Sequence, residues 1–341
     1  MSWLGLDIGG ANLKIADGAG YAEAVAFPLW QRPDQLSPAL RKMLAEAPRA
    51  DSLAVTMTGE LADCFVTKAK GVAAILDAVE NAAHGRDVQV YLCDGRFVTP
   101  QAARAEALLA GASNWHLLAA YAVRFCATFP GLLIDVGSTT CDLIPVGPAG
   151  PTASGNTDPE RLAAGELVYT GIERSPVCAI VSELSWRGAP CSVAQELFAT
   201  TRDAYLLLDE LAEEPGNRDT ADGRSRTKTN AHARLARSIC ADTTMFSMAD
   251  AQHAAASIHE AQLELLTLAG RRVIDGLAAA PTAVVLSGHG EFLGRRLLER
   301  LNLSCEAISL AAELGPKVSR SASAHALAVI ARRGARERSD S

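Results

Sequence analysis

The sequence predicts an α/β protein of two lobes around a cleft, and three observations carry that prediction. One strand–turn–strand motif occurs twice, as Leu4-Gly5-Leu6-Asp7-Ile8-Gly9-Gly10-Ala11-Asn12-Leu13-Lys14-Ile15 and as Leu132-Leu133-Ile134-Asp135-Val136-Gly137-Ser138-Thr139-Thr140-Cys141-Asp142-Leu143. Short apolar runs alternate with helical patterns along the chain, as in α/β domains. A third turn, Ser287-Gly288-His289-Gly290, follows a late apolar run. The 341 residues are enough for two cores. The break is expected at Phe129-Pro130-Gly131. Residues 1–129 would then form one lobe and 130–341 the other, with a helical insertion in the second and the last helix able to return to the first.

In order along the chain, the first hairpin covers about 3–17 and is followed by an apolar stretch, Tyr21 to Phe27. A helix is expected from Pro38 to Ala47, with Ser37 as its cap and Pro38 at the first helical position. Leu53 to Met57 reads as a buried strand ending at Thr58-Gly59-Glu60. A helix over 68–83 leads to the strand Val88–Leu92. Pro100 opens a long alanine-rich helical stretch, and Ser113 or Asn114 caps another that runs to about Phe125. After the second hairpin, the prolines and glycines from Pro145 to Pro151 mark a loop. A helix is expected over 192–211. Glu213 to Thr229 is the most polar segment, read as a disordered loop or a mobile lid. A long helix over 250–279, the strand 283–287 and helices over 291–301 and 321–333 complete the chain. Gly334 is the expected stop, and Arg336–Ser341 is expected to fray.

The net charge of −7 argues against a nucleic-acid binder, which normally shows a basic face. The N-terminus enters a strand at once, without the basic, apolar and small-residue segments of a signal peptide. No run of about 18 apolar residues suggests a membrane span, so a cytoplasmic protein is expected. None of the eight cysteines forms a CxxC pair, and most lie in apolar segments, which suggests buried reduced thiols. No HxxxH or HExxH spacing offers a protein-ligated zinc site.

The repeated motif carries the chemistry. Gly9 and Gly10 allow backbone to approach a ligand closely, and a turn of small residues through Asn12 aims several N–H groups at one anion. Gly137 does the same in the second copy, where Ser138, Thr139 and Thr140 add hydroxyl donors. Asp7 and Asp135 repel phosphate but can hold a Mg2+ ion, or its waters, that the phosphates share. Lys14, on the returning strand, can reach a phosphate as a point charge. The Gly288-His289-Gly290 turn suits the flat face and ribose of a nucleotide. One such hairpin alone is commonly structural; two with a later glycine turn are far more specific.

These three pieces, in this order, resemble the phosphate-1, phosphate-2 and adenosine motifs of the sugar kinase/heat-shock-70/actin superfamily, at residues 4–15, 132–144 and 284–294. The resemblance spans the whole chain and implies the two-lobed actin-like ATPase (ribonuclease H-like) fold. Within the superfamily the chain is most similar to the hydantoinase/oxoprolinase group. More narrowly, it resembles the subgroup linked to one-carbon transfer through methanofuran and tetrahydromethanopterin. Thr56-Met57-Thr58-Gly59-Glu60-Leu61-Ala62-Asp63-Cys64-Phe65, Ala112-Ser113-Asn114-Trp115 and Gly165-Glu166-Leu167-Val168-Tyr169-Thr170-Gly171 carry this likeness together with the two hairpins.

The subgroup implies a Mg2+-dependent transferase that joins a furanmethyl diphosphate to the phenol of γ-glutamyltyramine and releases pyrophosphate. Its ligands would be a small-molecule diphosphate and a phenolic amine, and a homo-oligomer is left open. Asp7, Asp135 and Lys14 would neutralise the leaving group. Glu60 and Asp63 are candidate bases, although Glu60 also suits the N-terminus of a helix. Glu166 is placed to bind an amine or to cap a helix. Arg224, Arg226 and Lys228 would close a lid over the diphosphate, or form a solvated charge run. Cys141 reads as a packed thiol, and His289 as lining a nucleotide or substrate. Two rivals share the hairpins: an ATP-dependent hydantoinase/oxoprolinase-type enzyme or small-molecule kinase, and a non-catalytic nucleotide-binding regulator. The Gly-x-Gly-Asp context of kinases is absent.

Overall fold

In a computed structural model, which describes the backbone of residues 2–339, two mixed sheets share one strand order. The first is built from β1 (Trp3–Ile8), β2 (Asn12–Ala16), β3 (Ala22–Ala26), β4 (Ser52–Met57), β5 (Asp87–Tyr91) and β6 (Phe97–Val98), in the order β3-β2-β1-β4-β5-β6. Strands β1 and β2 are antiparallel, whereas β4 and β5 run parallel to β1 through the crossover helices α1 (Leu36–Glu46) and α2 (Lys68–Ala83). Short helices α3 (Pro100–Ala105) and α4 (Ala107–Ala110) lead to α5 (Asn114–Ala122).

The second sheet repeats the plan. It contains β7 (Gly131–Val136), β8 (Cys141–Gly147), β9 (Gly150–Pro151), β10 (Leu167–Val168), β13 (Ala283–Ser287) and β14 (Glu306–Ser309), in the order β10-β8-β7-β13-β14 with β9 beside β8. Between β9 and β10 lies α6 (Asp158–Ala164). The helical insertion holds α7 (Val177–Ile180), a hairpin of β11 (Glu183–Trp186) and β12 (Ala189–Ser192), α8 (Thr201–Leu207), α9 (Lys228–Arg237) and the first half of α10 (Met248–Asp275). Helices α11 (Glu291–Leu301), α12 (Leu310–Leu314), α13 (Pro316–Ser319) and α14 (Ala322–Ser339) complete the chain.

The central strands are buried on both faces, which explains their continuous apolar sequence. Two helices exchange places between the halves. Helix α5 packs on β8 of the second sheet, and α14 returns across β1 of the first. Contact with α14 requires Gly5, because a Cβ there would lie 2.1 Å from the Ala324 carbonyl oxygen. The two helices also touch, with the Tyr121 hydroxyl 3.2 Å from His325 Nε2. One apolar cluster therefore runs from Trp3 and Tyr91 through Leu118 and Leu327 to Leu133 and Val285, joining both sheets. Each large side chain buried there contributes about 1.5–3 kcal/mol.

Several expectations are corrected. Ser37 does not cap α1; Gln35 precedes the helix, and the buried Ser37 hydroxyl has no partner. The alanine-rich stretch after Pro100 breaks at Glu106 into α3 and α4. Residues 192–211 are not one helix. Ala189–Ser192 pairs with Glu183–Trp186, and only Thr201–Leu207 is helical, started by a reciprocal Thr200–Asp203 cap. Strand β14 was not anticipated. Helix α14 runs through Gly334 to Ser339, so the expected stop is absent; Asp340 and Ser341 lie outside the described residues. Of the eight free thiols, Cys93, Cys126 and Cys141 are buried, whereas Cys64 and Cys240 are exposed. Among the described residues no helix is long and apolar enough to cross a membrane.

Candidate functional site

The two hairpins place their aspartates identically. Asp7 pairs in register with Lys14, and Asp135 with Asp142. Each turn is closed by the same bond, from Gly9 N–H to the Asn12 carbonyl (2.9 Å) and from Gly137 N–H to the Thr140 carbonyl (2.8 Å). The turn residues Gly9, Gly10, Asn12, Gly137, Ser138, Thr139 and Thr140 are all partly open to solvent. A passing segment straps each turn from behind. Phe27 and Leu29 donate to the Ala11 and Gly10 carbonyls, while Ile172 donates to Gly137 and both Glu173 and Arg174 donate to Ser138.

Asp7 is buried, and its two oxygens differ. Oδ2 accepts from Lys14 Nζ at 3.2 Å and from the Ser323 hydroxyl of α14 at 2.5 Å; Oδ1 is buried without a partner. Burial opposes the Lys14 ammonium, but Asp7 and Asp135 outweigh it and raise its pKa above the ordinary lysine value. Lys14 thus lies within the field of both aspartates. Burial, followed by repulsion from Asp142, lifts Asp135 to about 6, eased by the Ser287 hydroxyl and Lys14. Cys141 is fully buried, and burial raises its thiol pKa, as expected of a packed group rather than a nucleophile.

The third glycine turn closes against this pair. Gly288 has φ +90°, and a Cβ there would lie 2.1 Å from the Val136 carbonyl oxygen and 2.8 Å from Asp135 Oδ1. The Gly290 N–H donates to the Val136 carbonyl at 2.9 Å. His289, between them, is exposed. Surrounding protein and the Lys14 charge lower its pKa, with Arg320 and Arg202 adding to the effect and Glu173 opposing it.

Glu60 follows a turn tied to the first motif, since Thr58 and Gly59 both donate to the Ile8 carbonyl at 3.0 Å. It is 1 % exposed. Its Oε1 is 3.3 Å from Lys68 Nζ, and its Oε2 is buried without a partner. Burial raises its pKa against the pull of Lys68. Lys68 also bonds Asp158 of the second lobe at 2.8 Å, and Asp158 lies 3.4 Å from Arg161. Arg161 pairs with Asp142 and stacks 4.1 Å from the Trp115 ring. A chain of charges therefore links the base candidate of one lobe to the strand beside Asp135 in the other. Asp63 is exposed.

The remaining candidates are engaged elsewhere. Glu166 is buried and accepts from the backbone N–H groups of Ser154 (2.5 Å) and Gly155 (3.2 Å), bracing that loop rather than facing a ligand. The polar segment 213–229 is folded onto itself. Glu214 and Arg226 form a bridge, Arg226 meets Glu214, Asp219 and Glu173, and Lys228 pairs with Asp209. Buried Arg234 fastens Asp222 of the same segment at 3.0 Å. Arg224 is exposed, with Asp222 at 3.9 Å. Carboxylates within the segment and beside it, at Asp209 and Glu173, pair with the cations expected to form a lid or a solvated charge run.

Ser323 and the Lys68–Asp158 pair were not singled out in the sequence. Both depend on contacts between distant segments, and only the lysine's place at a helix start was visible. Among the described residues no three His, Cys, Asp or Glu side chains gather as a metal cage. Mg2+ needs no such cage; it keeps several waters and is bound by one or two carboxylates plus substrate phosphates. The unpartnered Asp7 Oδ1 and the raised Asp135 fit that donor set.

The hydantoinase/oxoprolinase family model matches residues 51–333. The chain is 34% identical over 332 residues to the (4-{4-[2-(gamma-L-glutamylamino)ethyl]phenoxymethyl}furan-2-yl)methanamine synthase of Methanocaldococcus jannaschii, covering 96% of each. It is 31% identical over 190 residues to the synthase of the same name from Methanococcus vannielii, covering 55% of this chain and 84% of that one. Among solved structures, the PilM-PilN type IV pilus biogenesis complex superposes with a TM-score of 0.50 at 13% identity, over 96% of this chain and 98% of that one. That likeness concerns the fold alone. The family match over most of its length and a full-length relative place the two-lobed chain in the hydantoinase/oxoprolinase family.

Proposed function

We propose that this chain makes the aryl ether of a methanofuran-type cofactor in one-carbon metabolism. A furanmethyl diphosphate is the donor and the phenol of γ-glutamyltyramine the acceptor. The observation that carries this reading is the pair of aspartate turns, coupled through Lys14, in a chain similar over its full length to a synthase whose named product contains that ether. Residues 1–129 apart from α5, together with α14, form one jaw, and the rest of 130–341 with α5 forms the other.

In the reaction, the furanmethyl carbon–oxygen bond to the diphosphate breaks and the phenol oxygen bonds to that carbon. The phenol proton passes to a base, and pyrophosphate leaves. The N–H groups of both glycine turns and the hydroxyls of Ser138, Thr139 and Thr140 orient the phosphates, while Lys14 lowers the charge on the leaving oxygens. When bound, Mg2+ supplies Lewis-acid neutralisation of the diphosphate, held by Asp7 and Asp135. The furan ring stabilises positive charge on its methylene, so bond breaking runs ahead of bond making. The phenol has an ordinary pKa of about 10. Glu60, raised by burial and with one free oxygen, suits the role of its base. Arg161 and Asp142 hold the strand beside Asp135 in place.

The test is incubation of the purified protein with Mg2+, γ-glutamyltyramine and the furanmethyl diphosphate, without nucleotide. Ether and pyrophosphate should appear in equal amounts. No ether, together with acceptor-stimulated release of ADP from ATP, would replace this reading with an ATP-dependent hydrolase or kinase.

A further inference from the structure

Trp30 and Arg174 meet across the cleft, and each sits directly beside one of the phosphate turns. Leu29 N–H binds the Gly10 carbonyl at 2.9 Å, and Trp30 is the next residue. Arg174 donates its own N–H to the Ser138 carbonyl at 3.1 Å. Its guanidinium carbon lies 4.9 Å from the centroid of the Trp30 ring. The nearby Arg202 and Arg226 are neutralised by Glu173, at 2.8 and 3.7 Å. Among the described residues, Arg174 has no carboxylate within ion-pair distance. It is exposed, and Trp30 is half-buried.

We propose that Arg174 is a further ligand of the diphosphate, resting on the Trp30 ring until phosphate draws it away. This rests on the diphosphate reading of the cleft. The backbone of Arg174 is already tied to the phosphate-2 turn, so only its side chain has to rotate. A cation stacked on a partly exposed ring is held more weakly than a guanidinium forked onto phosphate oxygens. The resting contact also spans the two lobes, joining Trp30 behind the first turn to Arg174 behind the second. Arrival of a diphosphate therefore exchanges a ring contact between lobes for a phosphate contact at the centre of the cleft. Arg174 is suited to this by its planar fork, which a lysine does not reproduce.

The probe is magnesium pyrophosphate, titrated by calorimetry and by tryptophan emission on the full chain. Wild type should bind it with a change in emission, because Arg174 leaves the indole. Arg174→Gln should bind about tenfold more weakly and lose most of the emission change, and Arg174→Lys should recover only part of the affinity. Trp30→Leu, which removes the resting platform, should bind at least as tightly as wild type. Unchanged affinity in Arg174→Gln would overturn the proposal. So would a Trp30→Leu variant that folds normally by thermal melting yet binds as weakly as Arg174→Gln, since the pair would then be a structural brace. Failure of wild type to bind pyrophosphate at all would remove the diphosphate reading itself, and this proposal with it.

Discussion

Asp7 has one oxygen committed to Lys14 and Ser323 and one buried without a partner. Asp7→Asn keeps the shape but removes the charge on which the proposed cation binding depends. Turnover in the ether assay should fall by about 10²–10³, with a circular dichroism spectrum like wild type. Near-normal turnover would remove Asp7 from the metal role. Asp135 poses a stability problem instead. Its folded pKa of about 6 exceeds the ordinary aspartate value, so the fold disfavours the ionised form. Its contribution favours folding below the unfolded pKa and is lost as pH rises through about 6. Asp135→Asn in metal-free buffer should therefore raise the melting temperature at pH 8 and have little effect at pH 3.5. The gain is at most about 3 kcal/mol and is reduced by cleft water. A variant equally stabilised at both pH values would show that another mechanism is at work. These aspartates were legible because a period of the sequence repeats them. Ser323, 316 residues from Asp7, offers no local signal: a serine in an alanine-rich helix has nothing to mark its partner.

Elements whose periodicity matches their burial were also legible. Helix α2 and the doubly buried strands β4 and β13 follow from apolar spacing. The β11–β12 hairpin did not, since its residues are largely exposed and include Pro190, Cys191 and Ser192, so no alternation of apolar side chains marks it. The segment 192–200 lies within the helix expected over 192–211; the reciprocal Thr200–Asp203 cap starts the helix at Thr201 instead. At the end of β13, the Gly288 turn presses on β7. Gly288→Ala would force a methyl group into the Val136 carbonyl at positive φ and should destabilise the protein by more than about 3 kcal/mol in urea unfolding. A loss below 1 kcal/mol would mean that the turn has room to relax. For α14, Ser323→Ala should lose about 1–2 kcal/mol of stability and reduce kcat more than KM, because Asp7 is then held by Lys14 alone. An unchanged kcat would make the serine a packing residue only.

At the scale of the whole molecule, the lobes are joined by the α5 and α14 exchange and by the Lys68–Asp158 bond. Asp158→Ala removes that bond, and the Asp158–Arg161 ion pair with it, while leaving Lys68 to Glu60. Amide hydrogen exchange should become faster in α6 and in the loop before it, with the central strands unaffected; unchanged protection would show that the bond does not restrain the cleft. The duplicated hairpins and the alternation of strands and helices were readable; the order of strands in each sheet was not. The last helix was expected to be able to return to the first lobe, and α14 lies across β1; the passage of α5 to the second sheet was not expected. That exchange has a consequence in time. Asp7 is made 316 residues before Ser323, whose hydroxyl holds it. At a synthesis rate of about 5–20 residues per second, the N-terminal half waits roughly 16–60 seconds for it. Throughout that interval a nascent chain carries the first aspartate turn without the α14 hydroxyl that fixes Asp7.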